Sequence, residues 1–487
     1  MAVTKQYQAC FKKESIAMTK IINLLFRQVW FPLVFQIATL VVFALLIMVG
    51  FSANTDDMAF AKILRNTNIA NLLVWSYWWP LVILSAIFLG RTWCTICPME
   101  LITSLAARVG IKRTPPGFVR SGWVIVIFYI LILFVGIHML AIHRVPFRMA
   151  IYMLMLLVTA VVTGLFFSRN TFCAHICPVG YLIGLYARLA PLSFGVRDKS
   201  ICSTCKDQSC VSKVNAYTFQ GRSCGVGLKP STIEDNTECL LCGQCVKACA
   251  QNGQGIEGRP NPGWFFRGWF KDLTTLKPLT FPHAIFCLVV SGFIVYEVFT
   301  EWGVTKELLL WLPTQIKQLI GAESILAVGL TKTLTLFVAL PAVLWFVPLG
   351  VFHLLGGRLS PGDYLLKFGI SFIPLMAAAH ATKAMLKMTS RIPYWEHTLK
   401  DPVGVEAARS IMDKSIELAP LPFWRELFIT LFALTLMGGA VVLSIHITQK
   451  LIAKHLSDIG LKMIPLYMIP IVYGGGFLTM LALWRWN

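Results

Sequence analysis

Charge is scarce in this 487-residue chain, and negative charge scarcest: 23 Asp and Glu stand against 43 Lys and Arg, and charged residues make up only 14%. A soluble protein of this length carries nearer a quarter, so a wholly soluble chain is excluded. Also missing are a phosphate-binding loop, a nucleophile with its base, and any nucleic-acid motif; nothing argues for independent catalysis or for a nucleic-acid partner. What fills the chain instead is apolar: 56% hydrophobic residues and a mean hydropathy of +0.69. Apolar runs of eighteen or more recur, each long enough for a hydrocarbon core of ~30 Å. The expectation is an all-α polytopic membrane protein.

About nine spans are expected, at residues 29–50, 71–90, 121–142, 149–168, 281–300, 324–354, 367–388, 423–446 and 463–485. The first follows the basic residues Lys12, Lys13, Lys20 and Arg27. It is too long for a signal-peptide core and has no small-x-small cleavage site, so it is taken as a retained span with a cytoplasmic N-terminus. The run 324–354 contains Pro341 and Pro348, where a kink is expected. Between the fourth and fifth spans, about Val196–Lys277, the composition turns polar and Cys-rich. This divides the chain into a membrane domain (1–195), a small α+β insert with two clusters (196–280) and a C-terminal membrane domain (281–487).

The formal net charge of +20 fits lysines and arginines collecting beside the spans. Arg91, Arg108, Lys112, Arg113 and Arg120 follow span two, and Arg169, Arg188, Arg197 and Lys199 follow span four. Both loops and the insert are therefore expected on the cytoplasmic side of a bacterial or archaeal type of membrane. Part of the excess would also offset anionic iron–sulfur clusters.

Fourteen cysteines carry the chemistry. In the insert, Cys239-x2-Cys242-x2-Cys245-x3-Cys249 has the bacterial ferredoxin spacing, in which three cysteines wrap one [4Fe-4S] cluster and the fourth reaches another. Ala250 stands where proline usually follows. Cys202, Cys205 and Cys210 precede it, then Cys224. By the swap rule Cys202, Cys205, Cys210 and Cys249 hold one cluster, and Cys224 joins Cys239, Cys242 and Cys245 on the other. A zinc site is the competing interpretation; disulfides do not suit a cytoplasm-facing domain.

A second set lies at the ends of spans. "AIFLGRTWCTICPMELITSLAARVG" and "GLFFSRNTFCAHICPVGYLIGLYARLA" are an internal repeat of span, Arg, aromatic, Cys and Cys-Pro, followed by a short amphipathic segment. They present Cys94-x2-Cys97-Pro98 and Cys173-x3-Cys177-Pro178. Duplicated span-plus-helix units tend to pack about a pseudo-two-fold axis, bringing four thiolates together. Proline suits the first helical position, and a helix N-terminus favours thiolates and anionic clusters. A third iron–sulfur cluster at Cys94, Cys97, Cys173 and Cys177 is expected; two inert thiol pairs are the alternative.

In combination these motifs, over residues 70–255, resemble the membrane polyferredoxins of the NapH, NosR and FixG (CcoG) type. The resemblance implies membrane-bound electron transfer through iron–sulfur centres, in a respiratory or cofactor-maturation pathway. The chain departs from the pattern in three ways. Its first motif is one residue short, no NosR-like flavin-binding domain is expected ahead of the spans, and about 200 residues of membrane protein replace the soluble C-terminal domain of FixG.

That C-terminal half contributes ionisable groups inside apolar runs, which are functional candidates by default. His380, Lys383 and Lys387 share a helical face, although Lys387 could also snorkel to an interface. His353 with His446, or His138 with His380, are the pairs to consider for haem b, and a quinone pocket near His380 is an equal alternative. By the assumed topology His138, His143 and His380 lie toward the outer side, and His353 and His446 toward the inner side. Cys10 and Cys287 have no metal-like neighbours.

The function expected is an electron relay between a cytoplasmic-side redox partner and a quinone or other acceptor, as the electron-transfer component of a multi-subunit respiratory-type oxidoreductase. Two alternatives remain: a quinone or metal-ion reductase or maturation factor, and a redox-gated transporter built around His380 and Lys383.

Overall fold

Apolar runs too long to be strands or core helices become single helices in the computed structural model, which describes residues 21–196, 199–249, 254–258, 269–321, 323–456 and 460–486. Cys10, Lys12, Lys13, Lys20 and Arg197 lie outside the described residues. Eight helices are long and apolar enough to cross a membrane, and the protein is an integral membrane protein by that criterion. In chain order they are α1 (Leu33–Phe51), α2 (Ile69–Leu89), α4 (Pro146–Phe166), α5 (Phe281–Phe299), α7 (Ile325–Leu354), α8 (Pro361–Lys400), α9 (Phe423–His455) and α10 (Lys462–Leu483). A shorter apolar helix, α3 (Trp123–Met139), occupies the third expected span.

The helix α6 (Gly303–Leu319) lies where no span was expected. It carries Lys306, Glu307 and Lys317, yet exposes Leu308, Trp311 and Leu319. Such a side-by-side pattern suits the plane of a membrane interface. Within the spans, π-helical turns run through Leu72–Trp78 of α2, Ile132–Met139 of α3 and Thr335–Ala339 of α7. The last ends two residues before Pro341, whose missing N–H removes a rung of the hydrogen-bond ladder.

By packing, the chain forms two units, each assembled from three stretches. One holds residues 1–46, 84–125 and 153–275, and the other 47–83, 126–152 and 276–487. The first contains every cysteine of the two motif sets. Its only sheet among the described residues is β1 (Leu192–Val196) paired antiparallel with β2 (Gln254–Gly258), which ties the end of the second repeat to the far edge of the insert. The second unit is the helical bundle that contains His380. There α8 and α9 pack through Ser444 and Thr448, which hydrogen-bond to Ser371. Trp345 stacks on Phe372 with ring centroids 3.8 Å apart.

Candidate iron–sulfur centres and a charged cavity

Both Cys-Pro steps start helices. Pro98 opens Pro98–Val109 with Cys97 as its N-cap, and Pro178 opens Pro178–Tyr186 with Cys177 as its N-cap. The reason is local: proline has its φ preset for the first turn and lacks an N–H that would be unsatisfied there anyway. The free N–H groups turn to sulfur. Gly180 N donates to Cys177 Sγ at 3.3 Å, and the N–H groups of Met99 and Glu100 donate to Cys97. Cys94 and Cys173 sit on the short helices Thr92–Ile96 and Thr171–His175 just ahead.

These four thiols form one group, each close enough to feel the others' charge. Their walls are apolar, with Met99, Ala160 and Phe172 packed against Cys97, Cys173 and Cys177. Burial pushes the Cys177 thiol up to about 11, the Gly180 N–H and Arg91 pulling against it. Burial raises Cys97 and Cys173 as well.

Cys224, Cys239, Cys242 and Cys245 form a second group in the same sense. It rests on Phe194, Leu241 and Val246. Burial lifts Cys239 to about 12 and Cys242 to about 11. The helix Gln244–Ala248 that carries Cys245 is capped by Gly243 in the left-handed region, φ 70°, where a Cβ would overlap the Phe26 ring. Gly243→Ala is therefore expected to cost about 1–3 kcal/mol through backbone strain alone. It would be seen as loss of the insert's cluster absorbance at lower temperature than in the wild type; an unchanged profile would contradict the tight fit. Cys202, Cys205, Cys210 and Cys249 line one small pocket and make the third group.

Buried charges stand among the first two groups. Arg91, 5% exposed, donates to Cys94 Sγ at 3.6 Å and to the Thr237 carbonyl at 2.9 Å, two residues before Cys239. Arg188 donates to Thr237 Oγ1 at 2.9 Å. Glu100, 2% exposed, is ion-paired with Arg222 and accepts from Asn170 Nδ2 at 2.6 Å and Gln36 Nε2 at 2.8 Å. Its charge reaches Cys173 of one group and Cys242 of the other. Arg108 lies over the Phe219 ring at 3.7 Å and Lys112 over Tyr217 at 4.8 Å. Several arginines that follow spans thus hold the insert as well as flanking a membrane. Glu100 and Arg222 were not singled out in the sequence; a lone acid just after a Cys-Pro step was the available signal.

The donor sets suit iron–sulfur clusters: four sulfurs each, apolar walls, peptide N–H donors and buried guanidinium groups to balance negative charge. Glu100 is fully engaged elsewhere and is no ligand. Among the described residues no three Cys, His, Asp or Glu side chains converge on a single metal ion, as a mononuclear zinc site would require; a four-iron cluster spreads its ligands over four metals.

A 4Fe-4S binding domain family matches residues 71–116 and 149–197. The two matched stretches are the two repeats, so they include Cys94, Cys97, Cys173 and Cys177 and stop at the start of the insert, short of its cysteines. The chain is thus a helical membrane protein with a 4Fe-4S binding domain. No curated protein and no solved structure matches it.

The helical bundle of the second unit contains a partly open cavity of about 540 Å³. His380 and Lys383 line it, joined by Lys387, Arg65, His143, Arg144, Glu297 and Glu301. His380 lies beside Trp79, with ring centroids 5.8 Å apart. Lys383 is ion-paired with Glu301 and lies 3.8 Å from Glu297. The other histidines are elsewhere. His353 is exposed, with Nε2 2.8 Å from the Leu359 carbonyl oxygen, His446 is exposed, and His138 stacks on Phe337. Neither suggested haem pair is assembled at this cavity. Glu297 is the single acid within the apolar span Phe281–Phe299, and its place in the cavity appears only once the helices are packed.

Proposed function

We propose that the protein is a membrane-bound iron–sulfur electron-transfer protein with three [4Fe-4S] clusters. It would pass electrons between a cytoplasmic-side partner protein and a quinone or other acceptor at the membrane, as a component of a respiratory-type oxidoreductase complex. The observation that carries this reading is the clustering of twelve cysteines into three groups of four. One group would be Cys94, Cys97, Cys173 and Cys177; the others would be Cys224, Cys239, Cys242 and Cys245, and Cys202, Cys205, Cys210 and Cys249. Each cluster, when bound, supplies a one-electron carrier.

The chain's own residues keep those carriers dry and electrically balanced. Apolar side chains exclude water from the sulfurs. N–H groups at two helix starts stabilise thiolates, and Arg91 and Arg222 place positive charge beside both the membrane-edge group and the neighbouring insert group. Buried cations near a cluster favour the more negative, reduced state. The basic residues after the second and fourth spans support a cytoplasmic insert.

The test is a reductive titration of anaerobically purified protein. Reversible bleaching of cluster absorbance by a low-potential donor, without net turnover until a redox partner is supplied, is the expected result; absence of any reversible redox change would overturn the proposal. Sustained quinone or metal-ion reduction by the isolated chain would instead favour a reductase, a reading the cavity around His380 and Lys383 keeps open.

A further inference from the structure

The cavity of the helical bundle has an electrical imbalance that electron relay does not use. Among the described residues that line it, seven are Lys or Arg and three are Glu. Two of those acids, Glu297 and Glu301, are already gathered around Lys383, which also donates to the Glu297 carbonyl at 2.8 Å. The remaining cations have no acid as close: Glu297 acts on Lys387, and Glu297 with Glu301 on Arg65, only from farther away. Lys387 Nζ makes no ion pair or hydrogen bond among the described residues, and the buried Nε–H groups of Arg65, Arg391 and Arg425 find no acceptor there, although Arg425 Nη2 donates to Thr389 Oγ1 at 2.7 Å. Arg144 spends its Nε on His143 Nε2, at 3.0 Å.

Consistently, burial and the like charges of Arg391 and Arg144 lower Arg65 to about 10. Burial, helped by Arg144, drives His143 down to about 3, so its ring is neutral and its Nδ1 is unpartnered. Uncompensated cations in a low-dielectric site are costly. An anion that enters relieves several of them at once.

The rest of the wall is mostly apolar and aromatic, with Thr300, Ser390 and Thr430 among it. Trp75 and Ile137 are presented by π-helical turns, a local feature common at functional sites. Trp79, Phe293 and Tyr296 add ring surface, and the buried Trp75 Nε1 has no acceptor. The volume falls in the range of small-molecule sites, roughly 300–1,000 Å³. Inorganic ions alone would leave most of that wall without contact.

We propose that this cavity binds a small organic anion, its acidic group held by Lys387, Arg65 and Arg391 and its ring or alkyl body packed on Trp75 and Trp79. A neutral quinone would leave the excess positive charge unbalanced. The site and its ligand class stand independently of the electron-relay reading.

The test is calorimetric titration of the full-length protein in detergent at low ionic strength with 1-naphthoate, with its neutral amide 1-naphthamide, and with inorganic phosphate. Naphthoate should bind one per chain, and the amide and phosphate at least tenfold more weakly. Lys387→Met should weaken naphthoate at least tenfold, whereas Lys450→Met, at an exposed position outside the cavity, should leave it unchanged. A wild-type gel-filtration profile and melting temperature report that each variant is folded, and Arg391→Gln repeats the test from a second side chain. Equal affinity for acid and amide, phosphate binding as tightly as naphthoate, or wild-type affinity in both cavity variants would overturn the proposal.

Discussion

Anaerobically purified protein carrying Cys97→Ala and Cys177→Ala will contain about eight non-haem iron atoms per chain, against about twelve in the wild type. The four-atom loss follows from where the two sulfurs sit. Cys97 and Cys177 are the N-caps of the helices that open at Pro98 and Pro178, and each collects peptide N–H groups that stabilise a thiolate. Their partners Cys94 and Cys173 are carried on separate short helices. With two sulfurs removed, one from each repeat, the remaining pair cannot hold a four-iron cluster. The insert's eight cysteines are untouched, so their iron should remain, together with acid-labile sulfide in equal amount. About eight iron atoms in both proteins would remove the membrane-edge centre from the electron route. About four in the variant would mean that the insert depends on the membrane-edge centre for its own assembly.

Glu100→Ala should be the most destabilising single substitution outside the cysteines, at about 3–5 kcal/mol. Its carboxylate is buried against Arg222, Asn170 and Gln36, and those partners come from residues 64, 70 and 122 positions away in the chain. Removing one member of a buried pair leaves the other charge desolvated and uncompensated, which costs more than the pair itself contributes. The Arg222 guanidinium would then face the Cys242 sulfur with no carboxylate. The measurement is thermal denaturation followed by cluster absorbance, with iron retention read beside it. Glu396→Gln is the contrast: its pair with Lys400 is exposed on both sides, and surface pairs of this kind contribute little, so its melting curve should overlay that of the wild type. If Glu100→Ala also melted like the wild type, the buried pair would be without structural consequence.

Much of this molecule is legible along the chain because its strongest signals are local. Spans follow from the length of apolar runs, and the helix starts at Pro98 and Pro178 follow from the fixed φ of proline. Ferredoxin spacing makes the insert cysteines recognisable as candidate cluster ligands, because the spacing is a local property of the chain. The repeat around Cys94 and Cys173 was visible as a repeat, and it is this part that matches a 4Fe-4S binding domain family. Helix α6 escaped notice for the opposite reason: its apolar residues are interrupted by charge, and only their placement on one face marks them.

What the tertiary structure alone decided is which distant charges meet. Glu100 finds Arg222, Arg91 reaches the Thr237 carbonyl, and five or more separated stretches contribute to the cavity around His380. No spacing rule links such residues, because their attraction acts through space after the helices have packed. The same holds for the histidines: His353, His380 and His446 all lie in apolar helices, yet of these three only His380 is buried and lines the cavity. Local covalent geometry and hydrophobicity are written residue by residue, whereas the burial of a charge, and therefore its energy, depends on everything that surrounds it.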